Sequence, residues 1–386
     1  MFISNDIKYV GVDDKEIDLF EGQYTVPLGV SYNSYVITDE KIAVMDSVGE
    51  GFGERWINNV KGVIGDTAPD YLVVQHMEPD HSASIVEFLK EYPDAQIVAS
   101  QKAFTMMRQF FGSAFSGKML SVGEGDTLSL GKHTLRFFTA PMVHWPEVIV
   151  TLDEYERVLF SADAFGKFGA LDTEDEWACE ARRYYFGIVG KYGAQVQALL
   201  KKLSGVEIKT ICPLHGPVLK EDLGYYLGLY DTWSSYRPEQ RGVLIAYASI
   251  YGNTRRAAEM LAERLRSLGC ESVTVCDLAR DDIHEAIEDA FKYSALVLAS
   301  ATYNGDAFPV MKSFIDGLVE RNYQKRLVGF IENGSWAPTA AKKMRAALEG
   351  CRDITFTESG VTLLSGISDE SVDKIYALAR ELREKL

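Results

Sequence analysis

No stretch of the 386-residue chain approaches the ~18 consecutive apolar residues of a bilayer-spanning helix. The opening residues, Met1-Phe2-Ile3-Ser4-Asn5-Asp6, lack both the basic segment and the apolar stretch of a secretory signal, so a cytoplasmic protein is expected. Positive charge is in short supply. The 40 Lys and Arg face 56 Asp and Glu, leaving a net charge of −16, which argues against nucleic acid and anionic membranes as partners. Cysteine is sparse and scattered, at positions 179, 212, 270, 276 and 351. An odd number with no Cys-x-x-Cys pair argues against a disulfide framework and excludes a fused rubredoxin-type iron site or a cysteine-ligated iron–sulfur cluster within the chain. No Gly-Lys-Ser/Thr triplet and no Gly-x-Gly-x-x-Gly occur, so neither a nucleotide-triphosphate loop nor a dinucleotide fingerprint is present.

What remains is an ordinary globular composition, 47% hydrophobic and 25% charged, in a chain too long for one core. The pattern changes near residue 240, at the polar, proline-containing segment Tyr236-Arg237-Pro238-Glu239-Gln240-Arg241. This sets expected domains of 1–240 and 241–386. The first half reads as short strands (41–48, 71–75, 96–100, 134–140, 148–152, 157–161 and 209–212). Helices are expected over 82–90, 102–111, 183–203 and 221–235. Many strands with few helices suggest two sheets packed face to face with helices outside. The second half alternates strictly. Strands 242–249, 272–278, 295–300, 326–332 and 354–364 alternate with helices 254–268, 282–292, 310–321, 339–348 and 369–385. That is the grammar of a doubly wound parallel α/β sheet.

Histidine is rare, with six in the chain, and two fall in His76-Met77-Glu78-Pro79-Asp80-His81. This segment follows the apolar run Tyr71-Leu72-Val73-Val74, and strand ends are where a sheet presents chemistry. A charged turn with exposed histidines is the competing reading. Mixed imidazole and carboxylate ligands suit iron, manganese or zinc. Three more candidates end strands or sit in tight loops: His144 in Pro141-Met142-Val143-His144-Trp145-Pro146-Glu147, Asp163 in Ser161-Ala162-Asp163-Ala164, and His215 in Cys212-Pro213-Leu214-His215-Gly216. Four histidines and three carboxylates exceed one four-coordinate zinc and suit two metals. Trp145, Tyr185 and Tyr192 are candidates to line the pocket, with packing as the alternative. His133 and His284 are expected to be solvated.

In the second half, Ser249-Ile250-Tyr251-Gly252-Asn253-Thr254 joins the first strand to its helix. Its glycine and hydroxyl residues can present backbone N–H groups to an anion, although an ordinary helix cap would look the same. Thr302-Tyr303-Asn304-Gly305 and Asn333-Gly334-Ser335-Trp336 follow the third and fourth strands. Three loops then surround the topological switch point of the sheet. Tyr303 and Trp336 can cover a flavin ring, which favours flavin mononucleotide (FMN); the alternative is that both are core aromatics.

The ligand contexts resemble the metallo-β-lactamase fold, with Glu78 where that fold usually has a second histidine. A carboxylate there hardens the site and favours iron over zinc. The His-x-Glu-x-Asp-His form, His144-Trp145-Pro146, Asp163-Ala164-Phe165-Gly166, Ser31-Tyr32-Asn33-Ser34-Tyr35 and the second-half loops together resemble the flavodiiron proteins of the A-type along essentially the whole chain. The resemblance implies a metallo-β-lactamase-like αββα sandwich followed by a flavodoxin-like domain. It implies two non-haem irons, with His76, Glu78 and His144 on one, Asp80, His81 and His215 on the other, and Asp163 bridging. His81 stands off the metal in some members. It also implies FMN, reduction of dioxygen to water or nitric oxide to nitrous oxide, and a separate electron donor such as a rubredoxin or reduced deazaflavin. A head-to-tail homodimer, or a dimer of such dimers, completes what the resemblance implies. The family usually has proline and glycine where this chain has Ala301 and Asp306, and an acidic Asp306 near the flavin is expected to lower its potential. A zinc hydrolase of the metallo-β-lactamase type with an accessory flavodoxin-like domain is the second reading, opposed by Glu78.

Overall fold

The computed structural model describes residues 3–386. The chain separates into two compact units, one running to Asp231 and one over Thr232–Leu386. Residues just after the joint are bound into the second unit. Trp233 Nε1 donates to Glu239 at 2.7 Å, and Arg326 donates to the Tyr236 carbonyl at 2.8 Å.

The first unit is built on two sheets. One has six strands in the order Ile7–Tyr9, Tyr35–Ile37, Ala43–Met45, Tyr71–Val73, Gln96–Ala99 and Lys118–Ser121; the other has five, Thr127–Ser129, Thr134–Thr139, Ile149–Asp153, Val158–Phe160 and Thr210–Cys212. Tyr35, Met45, Val73 and Val98 of the first sheet share one buried cluster with Phe137, Ile149, Phe160 and Cys212 of the second, so the sheets face each other. Each such side chain contributes roughly 1.5–3 kcal/mol through burial. The short opening strands, the edge strand Lys118–Ser121 and the helix Gly53–Ile64 escape the sequence reading. Most of the missed strands are short and also lack the apolar run that marks equally short ones such as Tyr71–Val73 and Val158–Phe160.

The helix expected over 183–203 is instead broken. Helix Trp177–Tyr184 passes into a π-turn over Tyr185–Val189 and a 3₁₀ turn over Gly190–Tyr192, and α-helix resumes at Gly193–Leu203. Gly187, Gly190 and Gly193 lie three apart here, and glycine is a poor helix former. Tyr24 also packs on Gly187 and donates its hydroxyl to that carbonyl at 2.9 Å.

The second unit has the strand order Val273–Asp277, Gln240–Ala248, Tyr293–Tyr303, Leu327–Asn333, with the fifth position last, all parallel. That 2-1-3-4-5 order is flavodoxin-like. The fifth strand is not continuous: Thr355–Phe356 and Val361–Leu363 both pair with Leu327–Asn333 across a gap. The gap persists because Glu381 of helix Asp369–Lys385 accepts from the Glu358 and Ser359 amides at 2.8 and 2.7 Å, so they need no strand partner. Helix Asn253–Ser267 buries Ala257, Leu261 and Leu265 against the sheet, as its apolar face requires.

His133 is not solvated; it is fully buried. Its Nδ1 lies 3.1 Å from Asp153, and its Nε2 lies 3.5 Å from Asp6. Burial opposes charge on this ring, but Asp153 and Asp6 outweigh it and raise its pKa above the ordinary value. A folded pKa above the unfolded one means the protonated ring stabilises the fold below about pH 6.5. That contribution disappears as pH rises through the folded value. His133→Ala should therefore cost about 1–3 kcal/mol in urea unfolding at pH 6 and distinctly less at pH 9; an equal loss at both pH values would remove the charge from the account. His284, at 17% side-chain exposure beside Asp282, is half-buried rather than solvated.

Candidate metal centre and second-domain cleft

The seven first-unit candidates converge. His76 and Glu78 leave strand Tyr71–Val73, and Asp80 and His81 belong to the short helix Pro79–Ser82. Asp46 fixes the start of this loop, accepting from Gln75 N and Nε2 at 2.7 and 2.9 Å. His144 and Asp163 follow turns at Met142 (φ 65°) and Ala162 (φ 50°). Left-handed backbone at non-glycine residues costs about 1–3 kcal/mol and persists where the surroundings over-determine it. His215 follows strand Thr210–Cys212, and its Nδ1 donates to the Ser31 carbonyl at 2.7 Å.

Asp163 stands at the centre. Its Oδ2 lies 3.2 Å from His76 Nε2 and 3.4 Å from His144 Nε2, while its Oδ1 lies 3.4 Å from His81 Nε2 and 3.6 Å from His215 Nε2. Glu78 Oε2 closes the first group, 3.3 Å from His76 Nε2 and 2.9 Å from His144 Nε2. Asp80 Oδ2 closes the second, 3.2 Å from Nε2 of both His81 and His215. The donor atoms thus form two clusters, His76–Glu78–His144–Asp163 and Asp80–His81–His215.

These groups fit a pair of cations better than they fit each other. Both carboxylate oxygens of Asp163 and of Asp80 are buried without a hydrogen-bond partner among the described residues. His81 and His215 turn Nε2 atoms on one another at 3.0 Å, a contact that one shared proton satisfies and that a cation held by both nitrogens could replace. Electrostatics agrees. Burial opposes charge on His76, yet Asp163, Glu147 and Glu78 hold its pKa well above the ordinary value. Burial also opposes charge on His144, which Asp163 and Glu78 raise to about 9. Burial favours neutral Asp163, but the imidazoles around it, His76 foremost, hold it well below the usual carboxylate range. A negative pocket that gathers protons gathers metal in their place.

Aromatic rings enclose the pocket. Phe20, Tyr184 and Tyr32 stand 5.4, 5.3 and 6.1 Å from the His215 ring. Trp145 lies 5.2 Å from His76 and 6.0 Å from His144. Tyr184, not Tyr185, reaches the site; Tyr185 packs on Phe186 and Tyr230, and Tyr192 sits at the start of helix Gly193–Leu203. Sequence reasoning also missed Glu147, although it lies three residues beyond His144: its carboxylate is buried against His76.

In the second unit a cleft of about 560 Å³ opens at the carboxyl ends of the strands. That size suits a small-molecule ligand. Of the loop residues expected there, all but Gly252 and Tyr303 line it, and Ala301, Ala337 and Ser365 complete it. Ser365 lies past the fifth strand, where the sequence gives only a polar Ser-Gly pair. Gly252 holds φ 89° just before helix Asn253–Ser267, and no side chain caps that helix start, so its amides remain available to an anion. The aromatics are not core residues: Tyr251 is 93% exposed, Trp336 91% and Tyr303 45%. Asp306 points elsewhere and pairs with Lys312 at 2.8 Å, which offsets the charge expected to act on a bound ring.

Comparison with known proteins agrees with this geometry. An ODP family beta lactamase model matches residues 30–216, and a flavodoxin domain model matches residues 244–354. A nitric oxide reductase of Moorella thermoacetica is 29% identical, covering 100% of this chain and 98% of its own length. The crystal structure of the flavodiiron protein from Giardia intestinalis superposes with a TM-score of 0.93 at 27% identity, over 99% of this chain and 95% of that one. The rubredoxin oxygen:oxidoreductase of Desulfovibrio gigas shares the fold, with a TM-score of 0.92 at 24% identity, over 100% and 98%.

Proposed function

This chain belongs to the flavodiiron proteins, and on that premise we propose that it is an oxidoreductase that reduces dioxygen to water, nitric oxide to nitrous oxide, or both. The diiron domain expected over 1–240 would correspond to the unit that ends at Asp231, and the FMN-binding domain expected over 241–386 to the unit Thr232–Leu386. The observation that carries the reading is the placement of Asp163, each of whose carboxylate oxygens faces a different set of ligands. His76, Glu78 and His144 would hold one iron, Asp80, His81 and His215 the other, with Asp163 shared. When bound, the irons and the flavin supply redox capacity for the four electrons that dioxygen needs or the two that coupling of nitric oxide needs.

The chain's own residues do the rest. Three carboxylates and four imidazoles form a preorganised, strongly negative pocket that need not rearrange to take cations. Phe20, Tyr184, Tyr32 and Trp145 wall it with apolar surface, which excludes bulk water while admitting a diatomic oxidant. In the second unit, the amides at the start of helix Asn253–Ser267 and the Thr254 hydroxyl would hold the FMN phosphate, and Trp336 would cover its ring. We place the protein in the cytoplasm, drawing electrons from a separate rubredoxin or reduced deazaflavin and working as a head-to-tail homodimer. No helix among the described residues is long and apolar enough to cross a membrane.

Protein purified without oxygen should contain about two irons and one FMN per chain, read by metal analysis and flavin absorbance. Stoichiometric zinc without iron, from cells given ample iron, would transfer the chain to the hydrolase reading.

A further inference from the structure

We infer that Glu147 is a positioning residue for the metal pair, holding His76 with Nε2 turned into the pocket; this rests on the diiron reading above. Glu147 is 2% exposed. Its Oε1 meets His76 Nδ1 at 2.8 Å and accepts from the Met77 amide at 3.0 Å. With the Nδ1 proton committed to Glu147, the Nε2 lone pair faces Asp163 and Glu78, 3.2 and 3.3 Å away. A carboxylate on the remote nitrogen fixes the tautomer and strengthens the imidazole as a ligand.

The two imidazoles of the Asp80–His81–His215 cluster are held differently. His215 donates Nδ1–H to a backbone carbonyl, and His81 Nδ1 has no hydrogen-bond partner among the described residues. Glu147 therefore acts on one half of the site. Its attachment explains how. It lies on the loop that carries His144, its own carbonyl accepts from Ser100 Oγ at 2.8 Å, and Ile149 N donates to the Gln75 carbonyl at 3.1 Å. One loop of the second sheet thus supplies His144 and orients His76, which arrives from the first sheet. Charge gives a second reason for a carboxylate at this position. Glu147 adds its carboxylate to those of Glu78, Asp80 and Asp163 beside a pair of cations, while the imidazoles stay neutral.

The test is release of iron from the full-length, ferrous-loaded protein to graded concentrations of a ferrous chelator under anaerobic conditions. Parent, Glu147→Gln and Glu147→Ala are compared, with circular dichroism alongside. In Glu147→Ala one iron per chain should be released at roughly 10–100-fold lower chelator concentration, and the other near the parental concentration. Glu147→Gln, which keeps an acceptor for Nδ1–H but not the charge, should fall between. Parental retention of both irons in Glu147→Ala, or equal weakening of both, overturns the inference. If Glu147→Ala does not fold, the glutamine variant decides: selective weakening supports the role, and parental retention overturns it. A parent that takes up no ferrous iron overturns the diiron reading and this inference together, whereas a two-iron parent with unselective variants overturns the inference alone.

Discussion

Asp163→Asn should empty both halves of the metal pocket and lower turnover at least ~10³-fold, a barrier increase of about 4 kcal/mol. The reason is geometric. Oδ1 faces His81 and His215, Oδ2 faces His76 and His144, and neither oxygen has a hydrogen-bond partner elsewhere among the described residues. Asparagine replaces one oxygen with an NH₂ group, which cannot ligate a cation and would meet the imidazole nitrogens of one group. It also removes a charge that both cations need. His215→Ala is the control. It lies in the Asp80–His81–His215 cluster, so its loss should release mainly the ion of that half. Iron per chain and turnover are measured together. Should Asp163→Asn keep the second iron, with turnover within about tenfold of the parent (about 1.4 kcal/mol), the bridging role would be lost.

Two inactive variants should regain turnover when mixed. One lacks flavin binding through Asn253→Ala and Thr254→Ala, at the start of the helix below the cleft; the other lacks metal through Asp163→Asn. The two candidate centres belong to separate compact units. A domain of this size is roughly 30 Å across, too far for rapid electron transfer if the centres lie on remote edges. A two-fold dimer can bring the flavin of one chain beside the irons of the other, twice, with one kind of contact. Each mixed dimer then holds one complete flavin–iron pair, so random exchange should restore about a quarter of parental activity. Mixed dimers that form without recovering activity, or full activity in an isolated monomer, would end the cross-chain route.

Much of this protein is legible in its sequence because the chemistry is local. Six residues from His76 to His81 contain four of the seven candidate ligands, and Asp163 and His215 each end an apolar run. The alternating second half announces its sheet, since buried parallel strands are near-continuous apolar runs and their helices keep a clean 3.6-residue period. Short strands such as Ile7–Tyr9, and the interrupted helix after Tyr184, stayed hidden. Three residues carry no period, and the interruption shows in the sequence only as the spaced glycines Gly187, Gly190 and Gly193, while the Tyr24 hydroxyl that bonds the Gly187 carbonyl comes from more than 150 positions earlier.

The sequence by itself determined which residue types can bind metal and which loops can meet a phosphate, because ligand chemistry and strand-to-helix turns are written in neighbouring residues. Only the tertiary structure decided how they group. It turned the two oxygens of Asp163 toward different histidine pairs, buried Glu147 behind His76, brought Tyr184 rather than Tyr185 to His215, and drew His133 into the fold between Asp6 and Asp153. Each of these contacts joins residues far apart in the chain or selects between adjacent ones. Their partners are set by how two sheets pack across a shared core, which no local pattern encodes.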